Sequence, residues 1–292
     1  MHDFEYCAPD KLQEALGLMA THKGSAQLLA GGTDLIVFMR ARSKRPDLLI
    51  DVKKIPELSE LQLDKAGLTI GASVSCRAIY ENDQIAGKYS ALVDSTTLIG
   101  GIQIQGRASI GGNLCTAAPS ADTIPTLIAY SAVANVVSDK GERQIPVEEF
   151  CVAPGQTILN DDEILVNLFI PAPAPRSGAM FLRFIPRNEM DIAVVNAAAF
   201  VELDEAGQNF ISARIAIGAV APTPLFVEEA GAAMIDKPVN EESLLNAARI
   251  ARDAASPIND MRGTVEHRKQ LVEVLTRRAL YGAIERARGA LE

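Results

Sequence analysis

Two glycine pairs, set eighty positions apart, constrain this chain more than any other feature. The first stands in Leu28-Leu29-Ala30-Gly31-Gly32-Thr33-Asp34-Leu35, the second in Ser109-Ile110-Gly111-Gly112-Asn113-Leu114-Cys115-Thr116-Ala117-Ala118-Pro119-Ser120-Ala121-Asp122. Glycine lets the main chain approach a ligand with no Cβ in the way, and the small residues that follow let backbone N–H groups face a bulky anion. A diphosphate suits such a loop. Asn113, Ser120 and Asp122 add the donors and acceptors that the hydroxyls of a ribose or ribityl arm require. A Gly-Gly pair alone is most often an ordinary turn. Two apolar strands that each end in one predict two loops closing on a single elongated cofactor.

The chain has 292 residues, enough for one large or two modest domains with real cores. Its hydrophobic fraction of 48% with 22% charged residues is that of a soluble globular protein. No apolar run approaches the roughly 20 residues that span a membrane, and Met1-His2-Asp3-Phe4-Glu5 does not read as a signal peptide, so the cytoplasm is the expected location. A net charge of -9 with scattered lysines and arginines argues against a nucleic-acid partner. Cys7, Cys76, Cys115 and Cys151 lie far apart with no CxxC pair, which fits free thiols and not a zinc or iron-sulfur site in this chain. The histidines His2, His22 and His267 have no sequence partners that would make them ligands.

Apolar periodicity predicts a helix over 9–21, a strand over 26–30 that feeds the first glycine loop, and a helix over 35–39 capped by Thr33 or Asp34. A strand over 47–52 follows, and Pro56 marks the start of a second lobe. The 58–75 stretch alternates as a hairpin turning near Gly67, with helices over 77–82 and 90–99 after it. Gly101 to Gly106 followed by Arg107 falls short of a phosphate-binding P-loop, since Arg stands for Lys and Ala108 for Ser or Thr. Beyond the second loop come a buried helix over 126–130, a buried strand over 132–137, an edge strand over 142–147 and a strand over 164–170. Pro171, Pro173 and Pro175 then stiffen the chain and mark a boundary. The rest predicts three strands, over 179–185, 192–203 and 210–220, with Ile211, Ala213, Ile215, Ile217 and Ala219 on one face that wants cover. Helices over 225–234, 241–254 and 265–288 supply it, the last through Leu271, Leu275 and Ala279.

The combination AGGTDL, SIGGNLCTAAPSADTIP, DEILVNLFIP, FLRFIPRNEMDIA and GAVAPTP, in that order over nearly the whole chain, resembles the FAD-binding (medium) subunit of the molybdenum hydroxylases. That family includes xanthine dehydrogenase, aerobic carbon monoxide dehydrogenase and the dehydrogenases of N-heterocycles. The resemblance implies an α+β fold: the two-lobe FAD-binding fold of the vanillyl-alcohol oxidase (PCMH) type, plus a C-terminal domain with a three-stranded antiparallel sheet and helices. Its parts would be residues 1–55, 56–172 and 176–292. No GxGxxG stands anywhere in the chain, so a Rossmann reading fails.

The resemblance also implies that Leu28 to Leu35 wrap the FAD diphosphate and ribityl arm, and that Ser109, Ile110, Gly112, Asn113 and Asp122 add contacts from the second loop. Leu165 would lie near the cofactor and Arg183 near the flavin ring, where lysine is commoner in the family. Ile102, with Ile99 and Ile192, is a candidate for apolar contact with the ring. No catalytic residue and no metal ligand is expected in this chain. The implied role is oxidoreductase electron transfer: electrons from [2Fe-2S] clusters in a small partner subunit pass through FAD to an external acceptor. The hydroxylation itself belongs to a molybdopterin-bearing large subunit, in a heterotrimer or a dimer of heterotrimers. The alternative is a stand-alone FAD-dependent oxidase of the same fold, which would need its own substrate cavity and usually a base or a covalent flavin link; only Cys115 stands beside a glycine loop.

Overall fold

A computed structural model describes residues 2–290. Strands β1 (Glu5–Cys7), β2 (Ala26–Leu29) and β3 (Leu48–Asp51) form a parallel sheet in the order β1-β3-β2. Helix α1 (Leu12–Thr21) buries Ala15, Leu16 and Met19 on it, the stripe that its apolar spacing sets. The first glycine loop leaves the carboxyl end of β2 and runs into α2 (Leu35–Arg40). Asp34 stands at the N-cap of α2, yet no side chain caps it; the Asp34 carboxylate instead accepts from Thr116 Oγ1 at 3.3 Å.

Pro56 opens α3 (Pro56–Ser59), where its missing N–H is no loss. The predicted hairpin is β4 (Leu61–Leu63) with β5 (Gly67–Gly71). Six short helices follow: α4 (Cys76–Tyr80), α5 (Asp83–Lys88), α6 (Ser90–Thr96), α7 (Ile102–Gln105), α8 (Ile110–Thr116) and α9 (Thr123–Ala129). Then come β6 (Val133–Ser138), β7 (Gly141–Pro146), α10 (Val147–Phe150), the small hairpin of β8 (Cys151–Ala153) and β9 (Gln156–Thr157), and β10 (Ile164–Pro171). The second sheet has the order β4-β5-β10-β6-β7, with β7 on the edge as its alternation predicts. One face carries Leu68, Ile70, Val136 and Leu168 under α6 and α9, while Ile164 and Val166 face the core of the first sheet.

The second glycine pair departs from expectation. No strand leads into it; Gly111 and Gly112 sit in the first turn of α8, with Ser109 as N-cap. A Cβ on Gly111 would lie 2.5 Å from the Ala72 carbonyl oxygen, so that glycine serves close packing of the helix just past β5.

The third sheet has four strands, not three: β11 (Ser177–Phe184), β12 (Val195–Leu203), β13 (Phe210–Gly218) and β14 (Leu225–Phe226), antiparallel and in chain order. The β14 strand pairs through only two residues, too few for alternation to register, and it takes the start of the expected 225–234 helix, which shrinks to α11 (Glu228–Ala232). Residues 192–194 lie before the β12 strand rather than in it. Ile211 is half exposed and Ala219 lies past the strand in a left-handed conformation (φ 64°), so the inward face of β13 is Ala213, Ile215 and Ile217.

Both faces of this sheet are buried, where one was expected. Helices α12 (Glu241–Ala254) and α13 (Val265–Ala287) cover Ala197, Ala199 and Val201, while Ala179, Phe181, Ala198 and Ala216 join the core of the second sheet. The consecutive apolar run of β12 is the signature of a strand buried on both faces.

Three arginines fasten the third sheet and its covering helix α13 to the helices and loops packed on the second sheet, the cation always on the same side. Arg183 on β11 meets Asp122 at 2.6 Å, Arg214 on β13 meets Glu148 at 2.8 Å, and Arg286 on α13 meets Asp94 at 2.5 Å. Arg214 also stacks 4.0 Å over the Phe226 ring. The Arg286 fork is bidentate, and Asp94 in turn accepts from the Phe181 N–H at 3.1 Å. Replacing Arg286 by Met leaves Asp94 largely buried without its counter-charge. We expect a loss of about 3 kcal/mol in urea unfolding; a loss under about 1 kcal/mol would class the pair with exposed surface bridges.

Candidate functional site

The two loops meet. A Cβ on Gly31 would stand 1.8 Å from the Arg107 carbonyl oxygen, so only glycine allows the first loop to rest on the backbone just ahead of Ser109. Arg107 Nε reaches 3.5 Å from the Gly31 carbonyl, and the Thr116–Asp34 hydrogen bond ties the far end of α8 to the same loop. Gly32 holds a positive φ of 76°, which L side chains rarely adopt.

The backbone between these ties is open. None of the N–H groups of Gly31, Gly32, Thr33, Asp34 and Leu35 donates to another group among the described residues. Successive free amides of this kind form an anion-binding nest, here at the carboxyl end of a parallel strand. On the second loop, Ser109 Oγ accepts from Gly112 N–H at 3.1 Å, and a Cβ on Gly112 would meet only that hydroxyl, at 2.9 Å. The space beyond is clear for a ligand that approaches the backbone.

From there the polar groups run towards the third sheet. Asn113 Oδ1 accepts from Thr123 Oγ1 at 2.6 Å, which leaves its amide nitrogen free to donate. Asp122, 9% exposed, is bound by Arg183 Nη1 at 2.6 Å, and Asn196 Nδ2 lies 3.5 Å from its other oxygen. Burial pushes the Asp122 carboxyl up to about 6, against the pull of the Arg183 guanidinium and Asn196. The Nε of Arg183 and the Oδ1 of Asn196 are buried with no partner among the described residues. Such orphaned polar atoms fit a site that is completed by a ligand.

The residues singled out from the sequence divide into two groups. Ala30, Gly31, Gly32, Thr33, Asp34, Ser109, Gly112, Asn113, Asp122 and Arg183 come together along this track, although Asp122 and Arg183 bind each other, where separate ribose and ring contacts were expected. The others serve packing or a margin. Leu28 and Leu35 are half-buried at either end of the first loop, Leu29 is buried on β2, Ile110 is in the core of the second body, and Leu165 is buried on β10 beneath α8. Ile102 is 70% exposed on α7. Beside it the 187–192 segment leans on the main chain, Met190 N–H donating to Gly100 at 3.1 Å, so that Ile102, Met190 and Ile192 present exposed apolar side chains on adjoining segments.

Sequence reasoning missed Thr123 and Asn196. Only Asn196 carries a signal there, as the single amide in the buried run Val195 to Ala199. Its cross-strand partner is Gly218, where a Cβ would lie 2.3 Å from Asn196 Oδ1. A cavity of about 400 Å³ between α12 and α13, lined by Glu241, Leu244, Arg277 and Tyr281, shares no residue with the track.

Known proteins resemble this chain over nearly its whole length. The family model described as the FAD binding domain in molybdopterin dehydrogenase matches residues 2–173, and that of the CO dehydrogenase flavoprotein C-terminal domain matches residues 181–283. The xanthine dehydrogenase FAD-binding subunit of Escherichia coli O157:H7 is 31% identical over 295 aligned positions, covering 100% of both chains. The carbon monoxide dehydrogenase medium chain of Hydrogenophaga pseudoflava is 29% identical, covering 96% of each. Among solved structures, a chain of reconstituted CO dehydrogenase from Oligotropha carboxidovorans superposes with a TM-score of 0.93 at 28% identity, over 98% of this chain and 99% of that one. A chain of quinoline 2-oxidoreductase from Pseudomonas putida 86 gives 0.90 at 27% identity, over 100% and 99%.

Proposed function

This chain belongs to the FAD-binding subunits of the molybdopterin dehydrogenases, and on that premise we propose that it is the electron-transfer subunit of a molybdenum hydroxylase, passing electrons from the [2Fe-2S] clusters of a partner subunit to an external acceptor. As a member of that family it is part of an oxidoreductase and its cofactor is FAD. We place the boundaries of its parts near residues 55 and 173–175, and its partners in a heterotrimer or a doubled one. The reading is cytoplasmic, a compartment that would keep its four free cysteines reduced.

The observation that carries the reading is the junction of the two loops, with five open amides on one side and the Asn113–Asp122–Arg183 track on the other. The nest would hold the diphosphate, and Asn113 Nδ2 and the Asp122 carboxylate would take hydroxyls of the ribose or ribityl arm. Ile102 and Ile192 would flank the ring, with Arg183 as the fixed cation and Leu165 as apolar backing. FAD, when bound, supplies the redox centre; the chain supplies position, charge and exclusion of water. The family's division of labour leaves hydroxylation to another subunit.

The natively purified protein should show a flavin spectrum, release FAD on heating, and copurify with subunits that carry iron-sulfur and molybdenum signals. Flavin that stays covalently attached in a chain without partners would replace this reading with a stand-alone oxidase.

A further inference from the structure

We propose that Lys53 is a positioning residue of the first loop, holding the Ala30–Gly31 peptide so that the Gly31 N–H faces the bound diphosphate. The inference rests on the FAD reading above.

Lys53 lies two residues beyond β3, and its side chain crosses to the end of the neighbouring β2. There the ammonium donates to the Ala30 carbonyl at 3.0 Å and to Asp51 Oδ1 at 2.7 Å. Asp51 is buried at 8% exposure and is itself held from both sides. The Tyr6 hydroxyl, from β1, donates to its second oxygen at 2.7 Å, and the Lys53 N–H to its first at 3.1 Å. Burial alone would raise this carboxyl, but the hydrogen bonds from Lys53 and Tyr6 outweigh it and keep it below the usual carboxylate range. All three strands are thus tied to one carboxylate, β3 by carrying Asp51, β1 through Tyr6 and the end of β2 through Lys53, and that carboxylate aims the lysine.

The consequence follows from peptide geometry. No described peptide bond is cis, and in a trans peptide the N–H points opposite to the C=O. A carbonyl of Ala30 that faces Lys53 therefore sends the Gly31 N–H the other way. Glycine restrains this peptide little, because no Cβ limits its φ. A flip would exchange donor for acceptor and present a carbonyl oxygen to an anion. Lys53 opposes that flip through a charge-assisted hydrogen bond, and its positive charge stands one residue from the nest. Arg107 does the same more weakly for the next peptide, at 3.5 Å from the Gly31 carbonyl.

The test uses the full chain with flavin removed and FAD titrated back. In Lys53→Met the FAD dissociation constant should rise at least about tenfold. The flavin-free variant also loses stability, because Asp51 keeps only the Tyr6 hydroxyl and the residue-53 N–H, so both chains are titrated at a temperature where each is folded. Lys53→Arg should restore most of the affinity. The assigned Gly31 amide resonance should move downfield on FAD binding in the wild type and in the Arg variant, and lose that shift in the Met variant. Wild-type affinity with an unchanged Gly31 shift in Lys53→Met would overturn the proposal, as would a wild-type Gly31 amide that ignores FAD. If the Met variant does not fold, Lys53→Gln takes its place, with weakened FAD binding expected and wild-type binding overturning. A wild-type chain that takes up no FAD at all would instead overturn the reading beneath it.

Discussion

Gly31→Ala should cost this chain its flavin while leaving it folded. The added methyl would stand 1.8 Å from the Arg107 carbonyl oxygen, 2.5 Å from its carbonyl carbon and 3.1 Å from Ala108 N, all of them backbone atoms. They have little room to give: Arg107 and Ala108 N–H both donate to Ile104 at 2.8 Å, and Cys76 N–H donates to the Ala108 carbonyl at 2.7 Å. The first loop must therefore lift, which draws Asp34 from Thr116 and the open amides from the second loop. Overpacking of this kind costs about 1 to 3 kcal/mol, and charged to the ligand-competent arrangement it weakens FAD binding by about 5- to 150-fold. Gly17→Ala is the control, since a Cβ there meets nothing within 4 Å on a helix that gains from alanine. FAD titration and thermal melts of the two variants make the comparison. Wild-type flavin content in Gly31→Ala would show that the junction of the loops is packing without a role in binding.

What made this site legible in the sequence was the glycine. A residue that must lack a side chain leaves a mark in any sequence, and Gly31, Gly32 and Gly112 each keep a place where a Cβ would intrude or where the backbone takes an unusual conformation. Alternation located the hairpin of β4 and β5 and the edge strand β7 for the same reason: half-buried strands repeat every second residue. The rest depended on distant contacts. Nothing local says that Lys53 reaches Ala30, since its charge reads as an exposed lysine after a strand. The apolar run of β12 signals burial on both faces, but only the packing of α9 against it shows what covers the second. Asp122 was legible as a polar residue beside a loop, but its partner stands sixty-one positions away and was assigned to the ring.

That pairing makes Asp122→Ala the other large loss, and gives it an asymmetry. Arg183 has only 5% of its side chain exposed and Asp122 has 11%. Removing the carboxylate leaves a guanidinium buried with no neutral form to retreat to, at a cost of about 3 to 5 kcal/mol. Asn196 Nδ2 would keep only the Ala121 carbonyl, at 3.3 Å. Arg183→Met strands a carboxylate, but burial already pushes that group up to about 6, so it can take a proton. Without the arginine the folded-state value rises further above its unfolded value. The stability linked to that proton is complete below the unfolded value, near 4, and is lost as pH rises through the folded one. Arg183→Met should therefore be milder than Asp122→Ala at pH 6 and lose ground between pH 6 and 8, and the double variant Asp122→Ala, Arg183→Met should recover much of the loss. FAD binding should not recover with it, because the hydroxyl acceptor stays absent; a charge-assisted hydrogen bond of about 1.5 to 3 kcal/mol predicts roughly 10- to 150-fold weaker retention. Urea unfolding of the four chains at both pH values, followed by FAD titration, separates the two roles. A double variant that regains stability and flavin together would reduce Asp122 to a clamp between the second and third sheets.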